Sequence, residues 1–250
     1  MWKKKRDKMQ SSESVRLSVV LPAVIDETEG ENPLYRLLGG LPLVARTLQA
    51  LNAVPGVGEI IVVVPESQLM YIADLVKAFE LERVKKIICG RRPGLAAVAA
   101  GVYECERDAA HIAVHDPLRP FITADLLEEV WRLAQLGGAA APAVTVKDTI
   151  KIVEDNVVRE TPDRSTLYAL QMPQIIESSM LKAALTKAMA EAEEAEETEE
   201  ARDLAIAMER LGLPLKLAEG REENIRVSKA TDIPAAETIL AWRGYGLVEG

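Results

Sequence analysis

The chain has 250 residues, of which 48% are hydrophobic and 28% charged, with a mean hydropathy of +0.03. This composition argues against intrinsic disorder, and the length suits one large domain or two small ones. The net charge of −9 disfavours general binding to nucleic-acid phosphates. Two cysteines and two histidines are too few for a disulfide framework and do not by themselves indicate a closed zinc site. Metal sites built from carboxylates stay open.

Residues 1–16 are expected to form a flexible basic arm ahead of the fold. They begin Met-Trp-Lys-Lys-Lys-Arg-Asp-Lys but lack the apolar stretch of a signal peptide. Binding to an anionic membrane or an acidic partner is the alternative to a solvated arm. No apolar run in the chain approaches the roughly 20 residues that cross a bilayer. We therefore expect a soluble, cytoplasmic protein with a single domain over residues 17–245.

Strand-like and helix-like segments alternate over the first half of the chain. Short apolar runs, typical of strands buried on both faces, occur at residues 17–23, 59–65, 84–89 and 110–115. Segments with helical periodicity lie between and after them, at residues 42–51, 67–80, 96–106 and 125–136. The alternation predicts an α/β fold with a mostly parallel sheet.

The pattern changes after residue 137. Strand-like residues 149–153 and 157–161 flank the turn Glu154-Asp155-Asn156, which predicts a β-hairpin. A hairpin that interrupts an α/β series often leaves the body of the domain. We expect this one, the β-arm over about residues 146–168, to protrude and meet a partner subunit.

Helix-forming residues dominate positions 178–211. The acidic run at 191–200 within them is expected to be an exposed helix face, and a metal or basic-partner site is the alternative. Late strands are expected at 213–217 and 225–227, followed by a closing helix at 233–242.

The segment that follows the fourth strand carries the first chemical signal. It reads His115-Asp116-Pro117-Leu118-Arg119-Pro120. Ligands of open α/β sheets bind beyond the carboxyl ends of the strands. A carboxylate followed by a proline-constrained turn is well placed there to hold Mg²⁺ against a phosphate. In the alternative interpretation, Asp116 only pairs with Arg119 or caps the turn.

Further motifs follow this one in a fixed order. They are Asp148-Thr149-Ile150-Lys151, Thr161-Pro162-Asp163-Arg164, Gln171-Met172-Pro173-Gln174, and Gly220 to Asn224-Ile225-Arg226-Val227-Ser228. The ordered set resembles the 2-C-methyl-D-erythritol 4-phosphate cytidylyltransferase family over about residues 17–240. The related ribitol-5-phosphate cytidylyltransferases share much of it.

The resemblance implies a three-layer, Rossmann-like nucleotidyltransferase fold and a homodimer formed through the β-arm. It also implies CTP and Mg²⁺ as requirements and pyrophosphate as a product. By the same resemblance, Asp116 binds the metal, and Arg226 takes the place of a family lysine. Thr149 and Arg164 enter the sugar-phosphate pocket of the neighbouring subunit, and Glu223 supplies a second carboxylate for metal or water. Asp116, Arg164 and Arg226 are thus the catalytic candidates.

Four more substrate-binding candidates are Gly90, Arg91, Arg119 and Asp203. The family's glycine-rich base-binding segment aligns with residues 89–98, where Ala97 replaces a serine that helps to read cytosine. Arg91 is expected to reach phosphate, and a solvated position is the alternative. Asp203 keeps the carboxylate of a family motif on the late helix.

The loop after the first strand departs from the family. The family has several glycines there, whose backbone N–H groups wrap the triphosphate, followed by a catalytic lysine. Residues 22–35 of this chain contain one glycine and four carboxylates, and Leu34 takes the lysine's place. Two hypotheses result. In the first, the protein is an enzyme that transfers CMP from CTP to a sugar-alcohol phosphate, most specifically 2-C-methyl-D-erythritol 4-phosphate. In the second, it is an inactive or redirected homologue that serves as a dimeric module binding a sugar phosphate or a nucleotide.

Overall fold

The computed structural model describes residues 17–25, 32–194 and 203–244. The helices within these ranges are α1 Leu43–Asn52, α2 Leu69–Ala78, α3 Leu95–Glu104, α4 Ala124–Gly137, α5 Ser178–Glu194, α6 Leu204–Arg210 and α7 Ile233–Trp242. The strands are β1 Leu17–Pro22, β2 Leu37–Leu38, β3 Leu41–Pro42, β4 Val57–Val64, β5 Val84–Cys89, β6 His111–Val114, β7 Ala139–Thr145, β8 Ile152–Glu154, β9 Val157–Glu160, β10 Tyr168–Leu170, β11 Gln174–Glu177 and β12 Lys216–Glu219. None of the described helices has the length and apolar character needed to span a membrane.

Eight of these strands form one mixed sheet. Strands β5, β4, β1 and β6 are parallel neighbours in that order. Strand β11 then pairs antiparallel with both β6 and β7, and β12 joins β7 in parallel. The short β10 pairs antiparallel with the far end of β7. The α/β class with a mainly parallel sheet, predicted from the strand–helix alternation, is confirmed.

Helices cover both faces of the sheet. Along β1, Val19 and Leu21 contribute to the core under α1, α2, α4 and α7, whereas Val20 points into the core under α3, α5 and α6. Side chains of a strand alternate between faces, so a strand buried on both sides must be apolar at every position. This requirement explains the continuous apolar runs and gives the three-layer architecture.

The central position of β1 creates a crevice at the carboxyl edge of the sheet. The chain passes from β1 to β4 and β5 on one side and then returns to β6 on the other side of β1. Connections that leave neighbouring strands in opposite directions open a gap beyond those strands, which is where ligands bind in such sheets. The residues directly after Val114, at the end of β6, lie at this point.

The β-arm is present as the hairpin of β8 and β9. Asp155 and Asn156 form its turn with φ of +50° and +61°. These left-handed conformations suit a two-residue hairpin loop, and Asn and Asp tolerate them better than most residues. Both strands are exposed along their whole length. The arm carries five exposed aliphatic side chains, which are Ile150, Ile152, Val153, Val157 and Val158.

Some late elements differ from the sequence prediction. The strand expected at 225–227 is wrong: this segment has no strand partner in the structure and is held by individual hydrogen bonds. The strand expected at 213–217 begins later, as β12. Strands β10 and β11 were not predicted, because each is only three or four residues long. The basic arm at 1–16, most of the acidic run at 191–200 and the domain end at 245 lie outside the described residues.

Candidate active site

Asp116 begins a tight turn at the end of β6. The backbone N–H of His115 still donates to Val20 of β1 at 3.0 Å, so the strand alignment continues up to the turn. The Oδ1 atom of Asp116 accepts the backbone N–H of Leu118 at 2.9 Å, and its carbonyl accepts that of Arg119 at 3.0 Å. The side chain is only 17% exposed. Asp116 therefore caps the turn, as the alternative interpretation predicts, but it uses only one of its two carboxylate oxygens to do so.

The second oxygen of Asp116 faces Arg226. The Nε–H of Arg226 donates to Oδ2 of Asp116 at 2.7 Å, and the arginine side chain is 51% exposed. This bond uses only the Nε–H of Arg226, so the N–H groups of the two terminal nitrogens are available to other acceptors. Among the described residues, the ion-pair partner of Asp116 is Arg226 and not Arg119. The pair places a carboxylate and a cation side by side at the crevice.

Two further hydrogen bonds join the Asp116 turn (residues 115–119) to the segment that carries Arg226. The Nη1 atom of Arg119 donates to the carbonyl of Asn224 at 2.5 Å. The backbone N–H of Val227 donates to the carbonyl of Leu118 at 2.8 Å. Burial lowers the pKa of Arg119, opposed by the nearby Asp116 carboxylate. Arg119, a predicted substrate-binding residue, thus ties together the two segments that hold the pair.

His115 supports the same turn from inside the protein. Its side chain is fully buried, and its Nε2 atom lies 3.0 Å from the carbonyl of Arg119. Burial lowers the pKa of His115 to about 4. The imidazole is therefore neutral at neutral pH, and because a carbonyl only accepts, Nε2 carries the proton. His115 acts here as a buried hydrogen-bond donor.

Gly90 and Arg91 lie at the same edge of the sheet, directly after β5. A Cβ on Gly90 would lie 2.6 Å from Val63 and 2.7 Å from Val24, so only glycine fits between β4 and the residues that follow β1. Arg91 is exposed and borders a cavity of about 490 Å³ beside Pro65 and Leu69. All four carboxylates of the altered loop lie at residues 26–31, outside the described residues.

The β-arm candidates are not part of this cluster within a single chain. Thr149 is exposed. Arg164 is also exposed, and its Nη1 donates to the carbonyl of Lys147 at 3.0 Å, within the arm itself. In the part of the chain that the structure describes, no hydrogen bond or ion pair joins either side chain to Asp116.

Glu223 and Asp203 have other surroundings. Glu223 is exposed and lines a cavity of about 1080 Å³ that also contacts α1, α7 and residues 120–124. Asp203 is the N-cap of α6: its Oδ1 accepts the N–H groups of Ala205 and Ile206 at 2.7 and 3.2 Å. Asp203 therefore has a structural role that its alignment did not indicate. A substrate role for either residue stays a prediction.

Comparison with known proteins gives a family for this arrangement. The family model described as IspD, 2-C-methyl-D-erythritol 4-phosphate cytidylyltransferase, matches residues 20–242. The chain belongs to the 2-C-methyl-D-erythritol 4-phosphate cytidylyltransferase family. A relative of that name from Caldanaerobacter subterraneus is 33% identical over 211 residues, which cover 84% of this chain and 90% of the relative. Another, from Geobacter metallireducens, is 32% identical over 213 residues and covers 84% and 89%.

Solved structures agree on the fold. A crystal structure titled 4-diphosphocytidyl-2C-methyl-D-erythritol synthase, from Anaerococcus prevotii, superposes with a TM-score of 0.78. It is 22% identical and covers 91% of this chain and 97% of its own. The 2-C-methyl-D-erythritol 4-phosphate cytidylyltransferase from Thermus thermophilus gives a TM-score of 0.69 at 24% identity, with coverage of 89% and 98%. The resemblance found in the ordered motifs is confirmed.

Sequence reasoning assigned no role to two buried residues beside the pair. In the sequence, Asn224 stands out only as part of the Asn-Ile-Arg motif, and His115 only as the residue before Asp116. Both are fully buried polar side chains. The available signal was a polar residue directly before the candidate carboxylate, for His115, or two positions before the candidate cation, for Asn224. No sequence pattern states which backbone groups such a residue will bind.

Proposed function

We propose that this protein transfers CMP from CTP to 2-C-methyl-D-erythritol 4-phosphate and releases pyrophosphate, a step of isoprenoid precursor biosynthesis. Membership of the family over residues 20–242 supports the reaction type. The Asp116–Arg226 pair at the central crevice is the observation that carries the proposal for this chain. The alternative of an inactive homologue depends on the altered loop after β1, whose residues 26–31 lie outside the described residues, and the comparisons do not favour it. A cytoplasmic location stays a prediction.

The proposed step is an in-line displacement at phosphorus. A phosphate oxygen of the acceptor attacks the α-phosphorus of CTP and forms a new P–O bond. The bond from the α-phosphorus to the oxygen that bridges to the β-phosphate breaks, and its electron pair leaves with pyrophosphate. Catalysis of such transfers depends on positioning and on stabilising negative charge. The terminal nitrogens of Arg226 suit phosphate oxygens, and the bond from Nε to Asp116 restrains the guanidinium.

Asp116 is also the proposed ligand of a magnesium ion. Each oxygen of the carboxylate accepts one hydrogen bond, from Leu118 or from Arg226, and keeps a second lone pair. No group of three acidic, histidine or cysteine side chains converges among the described residues. Mg²⁺ commonly takes one or two carboxylates together with substrate phosphates and water, so a single aspartate fits this mode. When bound, the ion would supply positive charge to the phosphates.

We further propose a homodimer in which the β-arm of one chain completes the site of the other. Thr149 and Arg164 provide a hydroxyl and a guanidinium, which suit a phosphate monoester. Both are exposed on an arm that leaves the body of its own chain. The exposed apolar side chains of the arm, between 42% and 55% accessible, suit burial against a second copy.

The test is pyrophosphate release from CTP, Mg²⁺ and 2-C-methyl-D-erythritol 4-phosphate, with other nucleoside triphosphates and ribitol 5-phosphate as comparisons. We expect release with CTP and 2-C-methyl-D-erythritol 4-phosphate. In Asp116→Asn, which keeps the turn but removes the charge, the rate of release should fall by about 10²–10³-fold. Binding of a sugar phosphate without release from any pair would instead favour the inactive binding module.

A further inference from the structure

Asn224 is a fully buried amide in a segment without regular secondary structure. Its Nδ2 donates to the carbonyl of Met172 at 2.7 Å, in the connection between β10 and β11. Its backbone N–H donates to the carbonyl of Arg221 at 2.9 Å. Because residues 224–227 lack strand partners, the side chain of Asn224 does for this segment what a β-ladder does elsewhere: it fixes the backbone to the sheet.

A second amide anchors the same segment just upstream. The side chain of Gln171 donates from Nε2 to the carbonyl of Arg221 at 2.9 Å and accepts the N–H of Arg221 at 3.2 Å. The approach is close, since a Cβ on Gly220 would lie 2.6 Å from Oε1 of Gln171. The chain is therefore docked on the β10–β11 connection over residues 220–224. Asn224 is the last of these anchors before the site.

Asn224 is linked to the reacting end of the site by a short path. Its carbonyl accepts Nη1 of Arg119 from the Asp116 turn, and only Ile225 separates it from Arg226. Arg226 itself is half exposed, so little packing restrains its long side chain. Without a fixed backbone, both the chain segment and the arginine side chain would have to be ordered for the contact with Asp116 to form.

We infer that Asn224 is a positioning residue that sets Arg226 against Asp116 by fixing the backbone of residues 224–227 to the β10–β11 connection. The inference rests on the proposed function. Asn224 touches no substrate in this account and acts only through Arg226 and Arg119. Its removal should then lower turnover while leaving acceptor and CTP binding nearly unchanged.

The first experiment compares Asn224→Ala with a matched asparagine at the opposite edge of the sheet. Asn52 accepts the backbone N–H of Arg83 at 2.9 Å, so Asn52→Ala also removes one side-chain-to-backbone bond. We expect Asn224→Ala to lower kcat by about 10²-fold with KM within roughly threefold of wild type. Asn52→Ala should leave both constants unchanged. Equal losses in the two variants would mean general destabilisation and would overturn the inference.

A double-mutant cycle tests the route through Arg226. If Asn224 acts through that side chain, adding Asn224→Ala to Arg226→Ala should lower kcat by less than about twofold further. A full additional 10²-fold loss would overturn the inference. Asn224→Ser, which keeps a short hydroxyl donor, replaces the alanine variant throughout if that variant does not fold by circular dichroism. Wild-type turnover is measured in parallel: its absence would refute the proposed function, whereas normal turnover with an additive cycle refutes only the positioning role.

Discussion

The two parts of the proposed site are built in opposite ways. The Asp116 turn and residues 224–227 are joined by hydrogen bonds. Each of the two segments contains a fully buried polar side chain, His115 in the turn and Asn224 in the other segment. The β-arm, by contrast, exposes all seven residues of β8 and β9 and contacts itself through Arg164 and Lys147. One chain can therefore preorganise the half of the site that holds the charges, whereas the role proposed for the arm requires a second chain.

The energetics support the same distinction. A two-stranded hairpin alone is at best marginally stable in water, and contiguous exposed apolar side chains mark interaction surfaces. The turn at the crevice is instead supported by a sheet and by the hydrogen bonds of His115 Nε2, Arg119 Nη1 and Asn224 Nδ2. Substitutions in the two regions should therefore differ in kind: those at the crevice should change turnover, and those in the arm should change assembly and acceptor binding.

The largest effect is expected for Arg226. Arg226→Ala should lower kcat by about 10²–10³-fold, because it removes a positioned cation from the transferring phosphate. Arg226→Lys keeps the charge but loses the planar fork that contacts both Asp116 and phosphate, and should cost only about tenfold. Steady-state pyrophosphate release measures both, with circular dichroism to verify folding. Full activity of the alanine variant would show that the crevice is not the charged half of the site.

A smaller loss of activity is expected when the arm is detached from its partner. Val153 and Val158 lie directly opposite each other in the hairpin, so Val153→Asp with Val158→Asp places two like charges face to face on the apolar surface. Light scattering should then give monomers, and activity should fall about 10–100-fold as the arm's phosphate contacts are lost. Leu136→Asp, at an apolar position of α4 that is 67% exposed, is the control and should stay dimeric.

The smallest effect is expected for a single arm contact. Arg164→Ala should raise KM for the sugar phosphate about tenfold with little change in kcat, since one charge-assisted hydrogen bond is lost. Arg159 provides the matched control: it is an exposed arginine of the same hairpin, paired with Glu154 at 3.2 Å. Arg159→Ala should leave KM unchanged. Equal increases in KM for both variants would indicate that any positive charge on the arm, and not a specific contact, attracts the sugar phosphate.

Local patterns predicted the elements that are long and periodic. Strand β5 and helix α7 match their predicted ranges, because a buried apolar run and a helical repeat are each set by neighbouring residues. The segment at 225–227 was wrongly predicted as a strand. Its apolar Ile225 and Val227 do pack inward, but the segment bonds to a turn and not to a neighbouring strand. The pattern of apolar residues indicates which side chains are buried, but it does not indicate which backbone segment lies beside them.

The order of residues along the chain was sufficient to predict the α/β class, the family and the candidacy of Asp116 and Arg226. The folded structure was needed to show that these two side chains meet at 2.7 Å although 110 positions separate them. It also decided that Asn224 and Gln171 are anchors and that Asp203 caps a helix. The physical reason is that a polar side chain takes its role from the donor or acceptor that folding brings within about 3 Å, and local sequence does not encode that partner.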